Sequence, residues 1–349
     1  IHTQFSFLVV PGTGMRVYLE SATTYFARFK YRQEGVCSIM DMLNFFAGGA
    51  SLELADKIAD YLGTKVGDLK RVRFADGEIW IKYNQNVRGT DVFLIQSLCP
   101  PAENILELLF MIDAAKRASA RRITAVIPYY GYARQDRKDR PRVSISSRVI
   151  ADLLTTVGAD RVLTIDLHVD QIQGFFNIPV DHLYASYVFL DYYRQKNITD
   201  LAVAAPDIGA VKMASAYARR LEAELIVVDK RRPRPNEAFV QTIIGEVEGR
   251  NILIADDLID TGGSLTNAAK ALKDRGAKNI FACCSHAVLS ADAIEKVNCS
   301  DIAELAITDT IPLRKPGASD KIKVISCAAM VGEAIKRTHL EQSISSLFV

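Results

Sequence analysis

The sequence predicts an α/β chain of two tandem domains, each a mainly parallel sheet flanked by helices. Three observations carry that prediction. Short apolar runs suited to strands buried on both faces alternate with amphipathic stretches of helix length. One such unit reads twice. Gly89-x-Asp with four apolar residues matches Gly249-x-Asn with four, and Ala114-Ala115-Lys116 matches Ala268-Ala269-Lys270 on the helix that follows. Finally, 349 residues is a length for two domains, each with its own core.

Composition narrows the function classes. Apolar content of 49% and charged content of 24% are those of an ordinary globular protein. A formal net charge of +2 argues against a wholesale electrostatic mode of nucleic-acid or membrane binding. The six cysteines (37, 99, 283, 284, 299 and 327) have no paired C-x-x-C spacing and read as reduced thiols of a cytoplasmic protein. No apolar run approaches the ~20 residues of a membrane span.

In chain order, residues 1–41 show no convincing period, and Phe5–Val10 is too short for a secretory signal. They read as an extension that is not needed for activity. The first domain is expected over 42–187. It opens with a strand at Met42–Phe46, a helix at Leu52–Leu62, and Arg73-Phe-Ala-Asp-Gly-Glu78 before an alternating strand at Ile79–Tyr83. Taken alone, Asp76-Gly77 is a strong hairpin signal. Phe74 also offers a face for stacking, and Asp76 and Glu78 can accept hydrogen bonds. A buried strand after Gly89, a helix over Asn104–Ser119 and a strand at Ile123–Tyr130 follow. Arg134-Gln135 then opens a run with five basic residues in 134–142, either a solvated face, an RNA patch or a place for a polyphosphate beyond a strand end. Asp166, His168 and Asp170 lie just past a strand at Val162–Ile165, where an isolated histidine is more often structural than a ligand.

The second domain is expected over 188–336, with a tail at 337–349. A strand at Leu201–Ala205 ends in Pro206-Asp207-Ile-Gly-Ala210, which places Asp207 on the ligand side. Asp229-Lys-Arg-Arg-Pro-Arg-Pro-Asn is either an exposed basic loop or a lid that brings Lys230 and Arg232 over phosphates. The most informative stretch is 251–266. An apolar strand, Ile252–Ala255, delivers Asp256 and Asp257, then Asp260-Thr261-Gly262-Gly263-Ser264 opens a helix. A glycine-rich turn at a helix N-terminus suits a phosphate. Two carboxylates about one turn away suit a vicinal diol. Together they describe ribose 5-phosphate. At the positions of Asp256 and Asp257 the first copy carries Gln96 and Ser97, so only the second copy keeps the cradle. No Walker A and no G-x-G-x-x-G pattern occurs.

From about residue 42 onward these motifs, in order and spacing, resemble those of the phosphate-activated ribose-phosphate pyrophosphokinase family. The resemblance implies two tandem type I phosphoribosyltransferase-like domains and a reaction of ATP with ribose 5-phosphate to give phosphoribosyl pyrophosphate and AMP. It implies that Phe74, Asp76, Gly77 and Glu78 read adenosine, and that Arg134 and Gln135 contact the polyphosphate. It also implies that His168 and Asp207 contact Mg2+, that Lys230 and Arg232 are catalytic, with Arg232 also at the sugar phosphate, and that Asp256, Asp257 and Asp260–Ser264 hold ribose 5-phosphate. A homohexamer, activation by phosphate and inhibition by ADP follow from the resemblance alone. Two departures stand out: Ala210 where relatives commonly have glycine, and Ser264 where they often have threonine. Two alternatives share the Asp-Asp…Thr-Gly-Gly stretch or the fold. A nucleobase phosphoribosyltransferase leaves Arg73–Glu78 and the first copy unexplained. A non-catalytic regulatory subunit is expected to show an eroded Lys230 loop, which here is intact.

Overall fold

The computed structural model describes residues 6–9, 16–19, 43–231, 240–314 and 317–345. Two compact units are present, Ile1–Leu43 and Asn44–Val349. In the first, β1 (Ser6–Val9) and β2 (Arg16–Leu19) form an antiparallel pair. Their sequences, Ser-Phe-Leu-Val and Arg-Val-Tyr-Leu, each place three apolar or aromatic residues after a polar one, and Pro11-Gly12, a turn-forming dipeptide, lies between them in the sequence.

From the boundary onward, β3 (Leu43–Ala47), α1 (Leu52–Leu62), β4 (Leu69–Arg73), β5 (Ile79–Tyr83), β6 (Asp91–Ile95), α2 (Glu103–Arg117), β7 (Arg122–Ile127), α3 (Ser146–Val157), β8 (Arg161–Ile165) and β9 (Val180–Leu183) come first. Five of these strands make a sheet in the order β3-β6-β7-β8-β9, parallel from β6 to β9. After α4 (Ser186–Gln195), the chain continues through β10 (Leu201–Ala205), α5 (Val211–Arg220), β11 (Glu224–Arg231), β12 (Val240–Ile244), β13 (Asn251–Ile259) and α6 (Gly263–Asp274). It ends with β14 (Asn279–Ala287), α7 (Ala293–Asn298), β15 (Ile302–Thr308), β16 (Ile322–Ile325) and α8 (Ala328–His339). The second sheet runs β12-β11-β10-β13-β14-β15-β16, parallel except for edge strand β12.

The repeat is visible in the topology. Without β4–β5 and β11–β12, both sheets are five strands laid down in chain order. Both inserted pairs are antiparallel and enter between the first and second strand of their copy. The matching glycines are both left-handed, Gly89 at φ 71° and Gly249 at φ 73°. Their amides donate to equivalent carbonyls, Ser119 at 2.8 Å and Gly276 at 2.9 Å, just past the helix that follows. Each sheet has its own core. Val92, Leu94, Leu108 and Ile112 anchor the first, while Ile252, Ile254, Leu272 and Leu305 anchor the second. Strands buried on both faces, such as β6 and residues 251–255 of β13, are the apolar runs the sequence displays.

The last helix crosses back to the first sheet. α8 packs on α1, where Tyr61 donates to Glu333 at 3.0 Å. Fully buried Asp91 accepts from Arg121 at 2.8 Å, Arg122 at 2.6 Å and His339 Nδ1 at 2.8 Å. The five described cysteines are free thiols. Among the described residues, no helix is long and apolar enough to cross a membrane.

Candidate active site

The acidic pair stands inside β13 rather than beyond it. The strand continues to Ile259 because β14 keeps pairing with it, Asp256 opposite Cys284, Leu258 opposite His286 and Ile259 opposite Ala287. The chain then turns through Asp260, and Gly262 adopts a left-handed φ of 74° at the N-cap of α6. A side chain at that φ costs about 1 kcal/mol or more, which explains the glycine. The first bond inside α6 runs from Thr266 N–H to Gly262 O at 3.0 Å. The Asp260–Ser264 turn therefore meets the amide-rich, positive end of a helix.

Four segments converge here. Asp257 Oδ2 lies 2.8 Å from His168 Nδ1, from the turn after β8 in the first sheet. Burial works against the Asp257 charge, but the hydrogen bond and charge of His168 outweigh it and lower its pKa. The same bond raises the His168 pKa against the opposing effect of burial. Together these shifts favour an imidazolium–carboxylate pair. Asp256 has the opposite fate: burial, and then the neighbouring charges of Asp257 and Asp207, push its carboxyl well above the usual range. Among the described residues, like charges rather than a cation set the state of Asp256. Asp207 is exposed at the end of β10, and its Oδ1 accepts from Ala210 N–H at 3.2 Å, capping the short 3-10 turn Ile208–Ala210.

Arg134, just past the β7 end, donates from Nη1 to Asp260 Oδ2 at 2.8 Å. Ser290 Oγ also donates to Asp260, and it more than Arg134 lowers that carboxyl's pKa. Gln135 Oε1 accepts from Ser146 Oγ beside it. A cavity of about 200 Å³ adjoins this pair, lined in part by Tyr129, Tyr132, Arg134 and Gln135.

Other expected residues stand apart. The Arg73–Glu78 segment is a hairpin turn between β4 and β5. Phe74 N–H bonds to Glu78 O at 2.9 Å, Gly77 N–H to Phe74 O at 2.9 Å and Glu78 N–H to Asp76 Oδ1 at 3.0 Å. Phe74 is 48% exposed, Asp76 and Glu78 are exposed, and these bonds close within the turn. Lys230 is the penultimate residue of β11, in register with Gln241, and Arg232 lies outside the described residues. In the first copy, Gln96 and Ser97 are fully buried. Gln96 donates to Glu107 at 2.9 Å and accepts from Ala50 N–H at 3.1 Å, while Ser97 donates to Thr310 O. These positions have become structural.

Sequence reasoning did not single out Ser290, the Lys212–Asp170 ion pair, or Asp136, whose charge helps raise the His168 pKa. Lys212 was the most accessible of these, two residues past a strand-end segment already marked by Asp207.

Two tandem parallel-sheet domains, with an acidic strand end facing a glycine-opened helix in the second, define a phosphoribosyltransferase-like α/β protein. Residues 43–158 match the family model for the N-terminal domain of ribose phosphate pyrophosphokinase, and residues 230–349 match the phosphoribosyl synthetase-associated domain. The ribose-phosphate pyrophosphokinase of Chlorobaculum tepidum is 52% identical over 307 residues, covering 88% of this chain and 95% of that protein. The Bordetella parapertussis protein of the same name is 52% identical over 306 residues, 87% of this chain and 99% of that one. The crystal structure of phosphoribosylpyrophosphate synthetase from Mycobacterium smegmatis superposes with a TM-score of 0.81 at 39% identity, covering 86% of this chain and 99% of that one. The chain belongs to the ribose-phosphate pyrophosphokinase family.

Proposed function

We propose that the protein transfers the pyrophosphoryl group of ATP to the 1-hydroxyl of ribose 5-phosphate, giving 5-phosphoribosyl 1-pyrophosphate and AMP. The observation that carries the reading is the Arg134–Asp260 ion pair. It brings the strand-end arginine of one sheet to the helix-opening turn of the other, so a donor held by the first would lie against an acceptor held by the second.

In this reading Asp256 and Asp257 orient the ribose diol, and Asp260–Ser264 hold the 5-phosphate at the α6 N-terminus. The sugar O1–Pβ bond forms as the bond between Pβ and the α-phosphate oxygen breaks, and AMP leaves. Arg134 and Gln135 steer the polyphosphate, and Phe74, Asp76, Gly77 and Glu78 contact adenosine. Lys230 and Arg232 stabilise charge on the phosphoryl oxygens, since phosphoryl transfer proceeds largely by positioning and charge stabilisation.

Mg2+ fits the donor set. It typically takes one or two carboxylates, with waters and substrate phosphates completing its shell. No group of three or more His, Cys, Asp and Glu able to hold a metal occurs among the described residues. The Asp207–Asp256–Asp257 neighbourhood supplies one or two carboxylates, and the charges of Asp257 and Asp207 reach Asp256. Asp207 and His168 would hold it, the latter through Nε2 of a neutral ring whose Nδ1–H is donated to Asp257, so that binding would release the Nε2 proton of the imidazolium. When bound, Mg2+ neutralises polyphosphate charge. Hexameric assembly, phosphate activation and ADP inhibition belong to the same reading, as does the dispensability of residues 1–41.

The test is AMP formation from labelled ATP. AMP that appears only when ribose 5-phosphate is present supports the reading. Base-dependent pyrophosphate release supports a transferase instead. Lys230→Ala should lower turnover by about 100-fold or more while changing ATP binding little. Unchanged turnover would remove Lys230 from the mechanism.

A further inference from the structure

The turn that carries His168 is held from both sheets. Asp166, at the end of β8, has a φ of 36°, a left-handed conformation costly for a non-glycine residue. Its own domain supplies part of the restraint: Asp166 N–H donates to Leu183 O at 3.0 Å, and Leu167 N–H donates to His182 Nε2 at 2.8 Å. Ala185 N–H donates to the Asp166 carboxylate at 3.2 Å.

The remaining contacts come from β14 of the second sheet. Ser285 Oγ donates to the same Asp166 carboxylate oxygen. His286 is buried, with Nε2 3.1 Å from Ile165 O and 3.0 Å from Asp166 O. Carbonyls only accept, so Nε2 carries the hydrogen and shares it between them. Burial lowers the His286 pKa and keeps the ring neutral, which leaves Nδ1 to accept from the Thr310 hydroxyl at 3.0 Å. The Thr308 hydroxyl donates to Ser285 O at 2.6 Å, completing the ring's support. On the adjacent strand β13, Leu258 stands opposite His286 in register, one residue after Asp257. The groups that grip the His168 turn and the carboxylate that meets His168 thus hang from neighbouring strands of one sheet.

We propose that His286, together with Ser285, is a positioning residue that sets His168 of the first sheet against Asp257 of the second. This rests on the function proposed above. The 5-phosphate of the sugar is held by the Asp260–Ser264 turn, which these two residues do not touch among the described hydrogen bonds, while Asp257 meets only the diol. Loss of the grip should therefore weigh more on the chemical step than on sugar binding.

The experiment compares wild type, His286→Leu, His286→Gln and Ser285→Ala, each alone and combined with His168→Gln. His286→Leu should lower kcat about 10- to 100-fold, the effect of displacing a reacting group by an ångström or less. The KM for ribose 5-phosphate should change less than kcat, because the phosphate anchor is untouched. His286→Gln keeps an N–H donor and should recover most of kcat. In the His168→Gln background, His286→Leu should cost less than about twofold further, because it acts through His168. If His286→Leu does not fold, Ser285→Ala, which removes one oxygen, takes its place in the same cycle. Equal losses in both backgrounds, no recovery with glutamine, or a change in melting temperature without a change in kcat would each overturn the proposal. A wild-type protein that makes no AMP sinks the proposed function. An active wild type with an additive cycle sinks the positioning role alone.

Discussion

At the residue scale, neighbouring carboxyl groups take opposite charge states because their partners differ. Asp257 keeps its charge through His168, whereas Asp256, buried and facing the charges of Asp257 and Asp207, resists ionisation. The His168 pKa is raised by Asp257, so its stabilising charge is fully present below the ordinary value of 6.5 and is lost as pH rises through the folded value. His168→Gln should therefore melt about 2 °C below wild type near pH 5.5, with the deficit shrinking by pH 9. A deficit that grew with pH would contradict the pair. Asp166 carries the opposite consequence. Burial pushes its pKa up to about 7, so ionisation costs stability as pH rises from the ordinary 3.8 towards 7. Asp166→Asn, which tolerates the left-handed φ, should gain on wild type in thermal melts above pH 7 and lose that gain near pH 4. Asp256 and Asp257 were legible as candidates from adjacency and the following Gly-Gly. Their divergent protonation was not, because it depends on His168, 89 positions away, and on Asp207.

At the scale of elements, legibility followed whether the signal was local. The sequence expectation of α1 at Leu52–Leu62 agrees with the helix residue for residue, since an apolar face and the left-handed Gly63 after its end are written in adjacent positions. α3 went unread. It has no side-chain cap, and its exposed Val149 and Leu153 spread apolar residues beyond the buried face. β15 went unread because Glu304 interrupts it, and the Glu304 partners, Lys196 at 2.6 Å and Tyr192 at 3.0 Å, come from α4 and the residue after it. The β4–β5 turn is the hairpin that Asp76-Gly77 announces. Its exposed Phe74 has little to lose in folding and a stacking face to offer. Phe74→Ala should raise the KM for ATP about fivefold, matching about 1 kcal/mol of stacking, while shifting the melting temperature by about 1 °C or less. Unchanged ATP kinetics would return the turn to a purely structural role.

At the scale of the whole molecule, the two sheets are fastened at opposite ends. Ser285 and His286 grip the β8 end beside the candidate site, and α8 returns to the first sheet where His339 meets Asp91. Burial opposes the Asp91 charge, yet His339, Arg121 and Arg122 hold its pKa below the usual range. Asp91→Ala would strand those cations and should cost about 3–5 kcal/mol in urea unfolding. A loss under about 1 kcal/mol would show the cluster to be incidental. The tandem duplication was readable from Gly89, Gly249 and the helical Ala-Ala-Lys pairs, but the α8 return was not, because its partners lie up to 248 positions away. The central claim is that this two-sheet frame delivers a pyrophosphoryl group to a sugar. ATP labelled at the β-phosphate, incubated with Mg2+ and ribose 5-phosphate, tests it directly. The label should move to the phosphoribosyl product as unlabelled AMP accumulates in equal amount, and label retained in ADP or released without sugar would contradict pyrophosphoryl transfer.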